Sequence, residues 1–190
     1  GVLEKIILKP KLRHKPKLTI VCDISGSMAL NSLFGVTLLY GMVSKFSSIK
    51  AFVFIDGITE ISKTLRTIKK NEIETIFSRW SEFVKSDGHS DYQKSFEELL
   101  ESDRVKKGTL IVIGDARNNY RNISQQLISN LADKYQKIFW INPEQKKYWN
   151  TGDSQMNKFE PINSRTVEVR NYKQLKQFVK DLDFKKVITS

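Results

Sequence analysis

The sequence holds one cysteine, two histidines and four prolines, and no apolar run in it approaches the roughly 20 residues that span a bilayer. Each shortage excludes something. A single Cys22 cannot form an internal disulfide, and inside its apolar run a small buried hydrophobe is the ordinary role. That usage fits a reducing, cytoplasmic setting, as does the lack of a short apolar segment with a small-residue cleavage site near the N-terminus. His14 lies in a basic arm and His89 in a polar loop, and without His-x-x-x-His or paired cysteines they make no zinc site. The chain also lacks a Gly-x-Ser-x-Gly elbow and a Walker-type phosphate loop.

What is present is an ordinary globular composition: 190 residues, 39% of them hydrophobic, enough to bury one core. The 32 Lys and Arg outnumber the 21 Asp and Glu, for a net +11. Such an excess suits an acidic protein, a nucleic acid or an anionic membrane surface. Much of it is peripheral, because residues 1–17 carry six basic residues against Glu4 alone. We expect 1–17 to be a basic arm or linker and 18–185 a single domain. Starting at Gly1 and not Met, the chain is expected to be a segment of a longer protein.

Apolar β-rich runs alternate with helical stretches, as in an α/β domain whose parallel strands are buried on both faces. Strands are expected at Leu18–Cys22, Ala51–Ile55, Gly108–Ile113, Lys137–Asn142 and Arg165–Arg170. Asp56-Gly57 signals a hairpin that returns Thr59–Ser62 as a short antiparallel edge strand. Helices are expected over 29–47, 70–85, 91–103, 121–136 and 172–182, and Pro143 opens a polar loop reaching Pro161. Trp80 and Trp140 read as core residues. Right-handed crossovers gather the strand-to-helix loops at the C-terminal edge of the sheet, so the loops Asp23–Met28 and Asp115–Tyr120 should be spatial neighbours.

Asp23-Ile24-Ser25-Gly26-Ser27 places a carboxylate and two hydroxyls on alternate residues of a turn, with Gly26 free to take unusual backbone angles. Three oxygens can converge on one point. Mg²⁺ prefers octahedral oxygen coordination and usually keeps several waters, so few carboxylates and several hydroxyls suit it. Placed after an apolar strand and before a helix, this motif resembles the metal-ion-dependent adhesion site of von Willebrand factor A (vWA) domains, whose pattern is Asp-x-Ser-x-Ser, then a distant Thr, then a distant Asp. By that resemblance Asp23, Ser25 and Ser27 are metal ligands and Asp115 is the distant aspartate. Ser90 stands where the family has threonine and supplies the same hydroxyl.

More narrowly, the chain is similar to bacterial CoxE-like vWA proteins, in which a basic stretch precedes the first strand and the motif reads Cys-Asp-x-Ser-Gly-Ser. Lys9 to Lys17 followed by Val21 to Met28 carries that likeness, with Gly114-Asp115-Ala116-Arg117-Asn118-Asn119, Asn142-Pro143-Glu144, Trp149 and Gly152-Asp153-Ser154. It covers residues 10–182. The resemblance implies a Rossmann-like fold with a central, mostly parallel six-stranded sheet, one short antiparallel edge strand and helices on both faces. It also implies bound Mg²⁺ (or Mn²⁺ or Ca²⁺) and a non-enzymatic role in capturing a partner, as accessory to a MoxR-type AAA+ ATPase that matures or remodels a larger complex.

Neutral hydroxyls leave a cation's charge under-compensated, so a partner's Asp or Glu is its natural further ligand. The surrounding loops would form the rim: Gly26, Met28, His89, Asp91, Arg117, Asn118, Glu144, Trp149 and Asp153. Rival readings stand beside these. Ser90 also fits a Ser-x-x-Gln capping box for the next helix, Asp115 a local Asx turn, and Trp149 simple loop packing. At the level of function, one alternative is nucleic-acid binding through the basic arm, although no aromatic precedes residue 17 to stack on bases. Another is a Mg²⁺-dependent phosphotransferase with Asp23 as nucleophile, although Ser25 stands where haloacid-dehalogenase-like phosphatases carry a second aspartate.

Overall fold

The computed structural model describes residues 18–45, 49–73, 75, 89–103, 108–171, 173–174 and 177–178. The basic arm, Trp80, most of the expected 70–85 helix and most of the expected 172–182 helix lie outside them. Six strands form one sheet: β1 (Leu18–Asp23), β2 (Ile49–Phe54), β3 (Ile58–Glu60), β4 (Gly108–Ile113), β5 (Tyr135–Asn142) and β6 (Arg165–Glu168). Their order is β3-β2-β1-β4-β5-β6, all parallel except β2–β3. The helices are α1 (Ala29–Lys45), α2 (Ser62–Thr67), α3 (Tyr92–Ser102), α4 (Gln125–Lys134) and α5 (Met156–Phe159). The expected six-stranded Rossmann-like α/β architecture is what the chain adopts.

Alternation along each buried strand feeds two cores. Ile20, Cys22, Ala51, Val53, Ile111 and Ile113 face one side, against Val36, Leu39 and Val43 of α1 and Leu65 of α2. Val21, Phe52, Phe54, Leu110, Val112 and Trp140 face the other, against Phe96 and Leu99 of α3 and Leu127 and Leu131 of α4. A side chain at Gly35 would bring its Cβ within 2.5 Å of the Cys22 sulfur, so α1 crosses β1 at a distance that only glycine allows. Among the described residues no helix is long and apolar enough to cross a membrane.

Three local expectations change. The edge strand stops at Glu60 and Ser62 opens α2, its hydroxyl accepting the Ala51 N–H at 2.9 Å and tying the helix start to β2. Tyr135 and Gln136 belong to β5 and not to the preceding helix, which spans Gln125–Lys134 with Ser124 as its cap. The segment after Pro143 is not a plain polar loop: it holds α5 and short 3-10 turns, and buries Trp149, Met156 and Phe159 against the second core. Those apolar residues are spaced too irregularly to read as an element.

Candidate functional site

The strand order supplies the position. From β1 the chain runs outward through β2 and β3 in one direction, and through β4, β5 and β6 in the other. The loops after β1 and β4 therefore diverge at the C-terminal edge and leave a crevice between them, where open α/β sheets take their ligands. Asp23 closes β1 and Asp115 follows β4 by two residues, so both carboxylates reach this switch point.

Both are buried, Asp23 at 0% and Asp115 at 4% exposure. Asp23 Oδ1 accepts the Ser25 N–H at 2.8 Å, while Oδ2 accepts the Tyr92 hydroxyl at 2.7 Å and the Ser90 hydroxyl at 3.4 Å. The Ser25 and Ser27 hydroxyls lie 3.2 Å apart, and they favour the ionised forms of the aspartates beside them, Ser25 that of Asp23 and Ser27 that of Asp115. The two serines thus stand between the two carboxylates. Asp115 Oδ1 accepts the Arg117 N–H at 2.9 Å. Each aspartate makes an Asx turn with one oxygen and turns the other toward the site, so the turn and the ligand readings are compatible.

Ser90 does not cap the following helix. Asp91 does, its Oδ1 accepting the Lys94 N–H at 2.9 Å, which leaves the Ser90 hydroxyl for Asp23. Ser27, His89, Ser90, Arg117, Asn119 and Asp153 line a cleft of about 70 Å³. At roughly 30 Å³ per water, it has room for a couple of waters, and of the five candidate ligands Ser27 and Ser90 line it.

The rim residues divide. Gly26 and His89 are exposed, and Asp91 is partly exposed and tied to Arg121 at 2.8 Å. Arg117 is a hub, contacting Glu144 at 2.5 Å, Asp153 at 2.9 Å and Asp115 at 4.0 Å. Met28, Asn118 and Trp149 turn inward, so the expectation that they lie on the rim is corrected. Met28 packs in the first core at 1% exposure. Asn118, at 0%, accepts the Tyr92 N–H and donates to the Arg121 carbonyl. Trp149, at 9%, packs in the second core with its indole N–H on the Glu144 carbonyl. Two participants escaped the sequence reading: Tyr92, whose spacing reads as plain core, and Tyr120, an 80% exposed aromatic beside the cleft residue Asn119.

Electrostatically the site is short of positive charge. Burial first, and then the negative charge of Asp115, push Asp23 up to about 7, and burial also raises Asp115. Asp23 makes no ion pair with Lys or Arg among the described residues, and Arg117 is shared by three carboxylates. No three His, Cys, Asp or Glu side chains among the described residues are grouped to hold a metal. A divalent cation would therefore rely on two carboxylates, serine hydroxyls and water, a donor set that fits Mg²⁺.

Residues 2–178 match the model of the family described as VWA domain containing CoxE-like protein. A search of curated proteins returns no match. Among solved structures, the conserved hypothetical protein BatB from Bacteroides thetaiotaomicron shares 14% identity at a TM-score of 0.59, over 92% of this chain and 100% of that one. An aerotolerance-related membrane protein from Bacteroides fragilis shares 12% at 0.55, over 90% and 99%. Proximal thread matrix protein 1 of the mussel byssus shares 17% at 0.57, over 90% of this chain and 45% of its own. At these identities the likeness is one of fold, and it agrees with the family match in type and extent: the chain belongs to the CoxE-like family of vWA-domain proteins.

Proposed function

We propose that this vWA domain, a protein-interaction module by family, captures its partner through a divalent cation held at the crevice between β1 and β4. The observation that carries this reading is the pair of buried carboxylates, Asp23 and Asp115, facing each other across serine hydroxyls with too little positive charge to compensate them. Asp23, Ser25, Ser27, Ser90 and Asp115 would hold the cation, with Mg²⁺ first and Mn²⁺ or Ca²⁺ as alternatives. When bound, it supplies positive charge with a position open to an Asp or Glu of the partner. The protein's own part is to fix the ligands, restrict water to a small cleft and present a rim.

On that rim, His89, Arg117 and Asp153 line the cleft, Glu144 pairs with Arg117, Gly26 is exposed on the loop after β1, and Tyr120 adds the kind of exposed aromatic that anchors interfaces. In the family's setting the partner is a MoxR-type AAA+ ATPase or its client. The burial of Asp23 and its hydrogen bonds from Ser25, Tyr92 and Ser90 hold the carboxylate in one orientation, which supports a fixed ligand over a nucleophile that must reach a substrate.

The test is a pull-down from native lysate with immobilised wild type and Asp23→Ala, each with Mg²⁺ or EDTA. Wild type should retain partners in Mg²⁺ and release them in EDTA, and Asp23→Ala should retain none while keeping its fold by circular dichroism. If the variant retrieves the same proteins as wild type, metal-mediated capture is wrong.

A further inference from the structure

Tyr92 stands at the centre of this site and belongs to no motif. It opens α3, is fully buried, and touches all three segments that supply candidate ligands. Its hydroxyl donates to Asp23 Oδ2 at 2.7 Å and accepts the Ala116 N–H at 3.1 Å, joining the loop after β1 to the loop after β4. Its backbone N–H donates to the Asn118 side-chain oxygen at 2.7 Å, fixing the start of α3, two residues after Ser90, to that second loop.

The surroundings are built to hold the phenol there. Phe54, Phe96, Trp140 and Phe159 surround the ring at centroid distances of 4.8, 5.6, 5.9 and 6.1 Å. A Cβ at Gly114 would fall 2.2 Å from the phenol oxygen and 3.1 Å from the Asp23 Cβ, so the space that a side chain would fill there is taken by Tyr92 and the aspartate it contacts. Ala116 sits at φ 59°, a left-handed conformation unfavourable for a residue with a Cβ. Two hydrogen bonds restrain it, from its N–H to the phenol and from the Gln155 N–H to its carbonyl at 2.8 Å.

We infer that Tyr92 is a positioning residue of the cation site: its hydroxyl sets the Asp23 carboxylate and the Asp115 loop at the spacing that one small cation requires. The inference rests on the metal-binding reading above. Groups that orient metal ligands typically matter about 10–100-fold in affinity. A loosened site should also lose discrimination, because Mg²⁺ demands near-ideal octahedral geometry while Ca²⁺ accepts more ligands at longer, more variable distances. That ratio separates positioning from mere stability.

The experiment is calorimetric titration of the chain with Mg²⁺ alone and with Ca²⁺ alone, for wild type, Tyr92→Phe and Leu131→Ala, with thermal melts in EDTA. Leu131→Ala lowers stability from α4, within the second core, without touching the site. For Tyr92→Phe we expect Mg²⁺ affinity to fall about 10–100-fold and the Mg²⁺-to-Ca²⁺ preference to shift toward Ca²⁺, with both quantities unchanged in Leu131→Ala. Should Tyr92→Phe not fold, Gly114→Ala keeps the tyrosine but sets a Cβ 2.2 Å from its hydroxyl and 3.1 Å from the Asp23 Cβ, so the same two changes are expected and wild-type values in it still overturn the positioning role. Wild-type affinity and preference in a folded variant overturn the positioning role and leave the metal reading intact, and so does an equal loss in Leu131→Ala. If wild type takes up neither ion, the metal reading fails, and this inference with it.

Discussion

A carboxylate at 0% exposure whose proton is held up to about pH 7 is a cost to the fold at neutral pH, and Asp23 is such a group. An unfolded aspartate titrates near pH ~3.9, so between that value and about 7 the folded chain binds the extra proton. Stability contributed by that proton is therefore present at low pH and lost as pH rises through this window. In EDTA, the melting temperature of Asp23→Asn should rise relative to wild type as pH goes from about 5 to about 8, by the equivalent of a few kcal/mol in order of magnitude. The absolute offset between the two includes the altered hydrogen bond to Ser25, so the slope is the readout. Saturating Mg²⁺ should flatten it, because a bound cation takes over the proton's role. Parallel pH profiles in EDTA would show that Asp23 is ionised in the folded state without penalty.

At the scale of elements, the start of α3 decides what Ser90 can do. Asp91 carries the cap, its Oδ1 on the Lys94 N–H and its Oδ2 on Arg121. Asp91→Ala should cost about 1 kcal/mol, or about 2–4 °C in a chain of this size, measured by thermal melt in EDTA. Ser90→Ala should cost less than half of that and weaken Mg²⁺ binding instead. The reverse pattern would return the cap to Ser90 and remove it from the ligand set. The sequence offers Ser90 as a rival cap because Ser-x-x-Gln is a capping signature, while Asp-x-x-Lys one residue later is equally able to cap and only the entry angle of the chain chooses. The same logic runs through the rest of the site. The strands and the Asp23 motif are legible because burial on both faces writes continuous apolar runs, and because a turn that collects oxygens needs Asp, Ser and Gly together. Tyr92, Asn118 and Trp149 are not, since their roles depend on which loops meet. Tyr92 looks like a generic apolar position, and Trp149 and Asn118 like rim residues, until the β1–β4 crevice brings Tyr92 and Asn118 together and the segment after Pro143 folds Trp149 onto Glu144.

For the whole molecule, the two ends of the sheet have opposite characters. At the C-terminal edge carboxylates outnumber their cations. Toward the N-terminal end, Asp103 is also buried but fully engaged: Thr19 donates to it at 2.5 Å, Tyr135 at 2.8 Å, and Lys50 pairs at 3.5 Å. Burial and the Asp103 charge push the Tyr135 phenol well above its usual range, so it remains a donor. This network ties the end of α3 to β1, β2 and β5, and nothing in it is left over to bind a ligand. Thr19 and Asp23 lie four residues apart on β1, about 13 Å along the strand, beyond the roughly 7–10 Å within which substitutions usually couple. Asp103→Ala should therefore cost about 3–5 kcal/mol of stability by stranding its partners, yet leave Mg²⁺ affinity at the wild-type value. Asp23→Ala should do the converse, abolishing Mg²⁺ binding while losing less stability in EDTA at neutral pH than Asp103→Ala, because the lost hydrogen bonds from Ser25, Tyr92 and Ser90 are offset by removal of a buried carboxylate. In the double variant the two stability changes should add within about 0.5 kcal/mol by denaturant unfolding. Coupling larger than that would mean that the sheet transmits strain between its ends and that anchoring and binding are not separable.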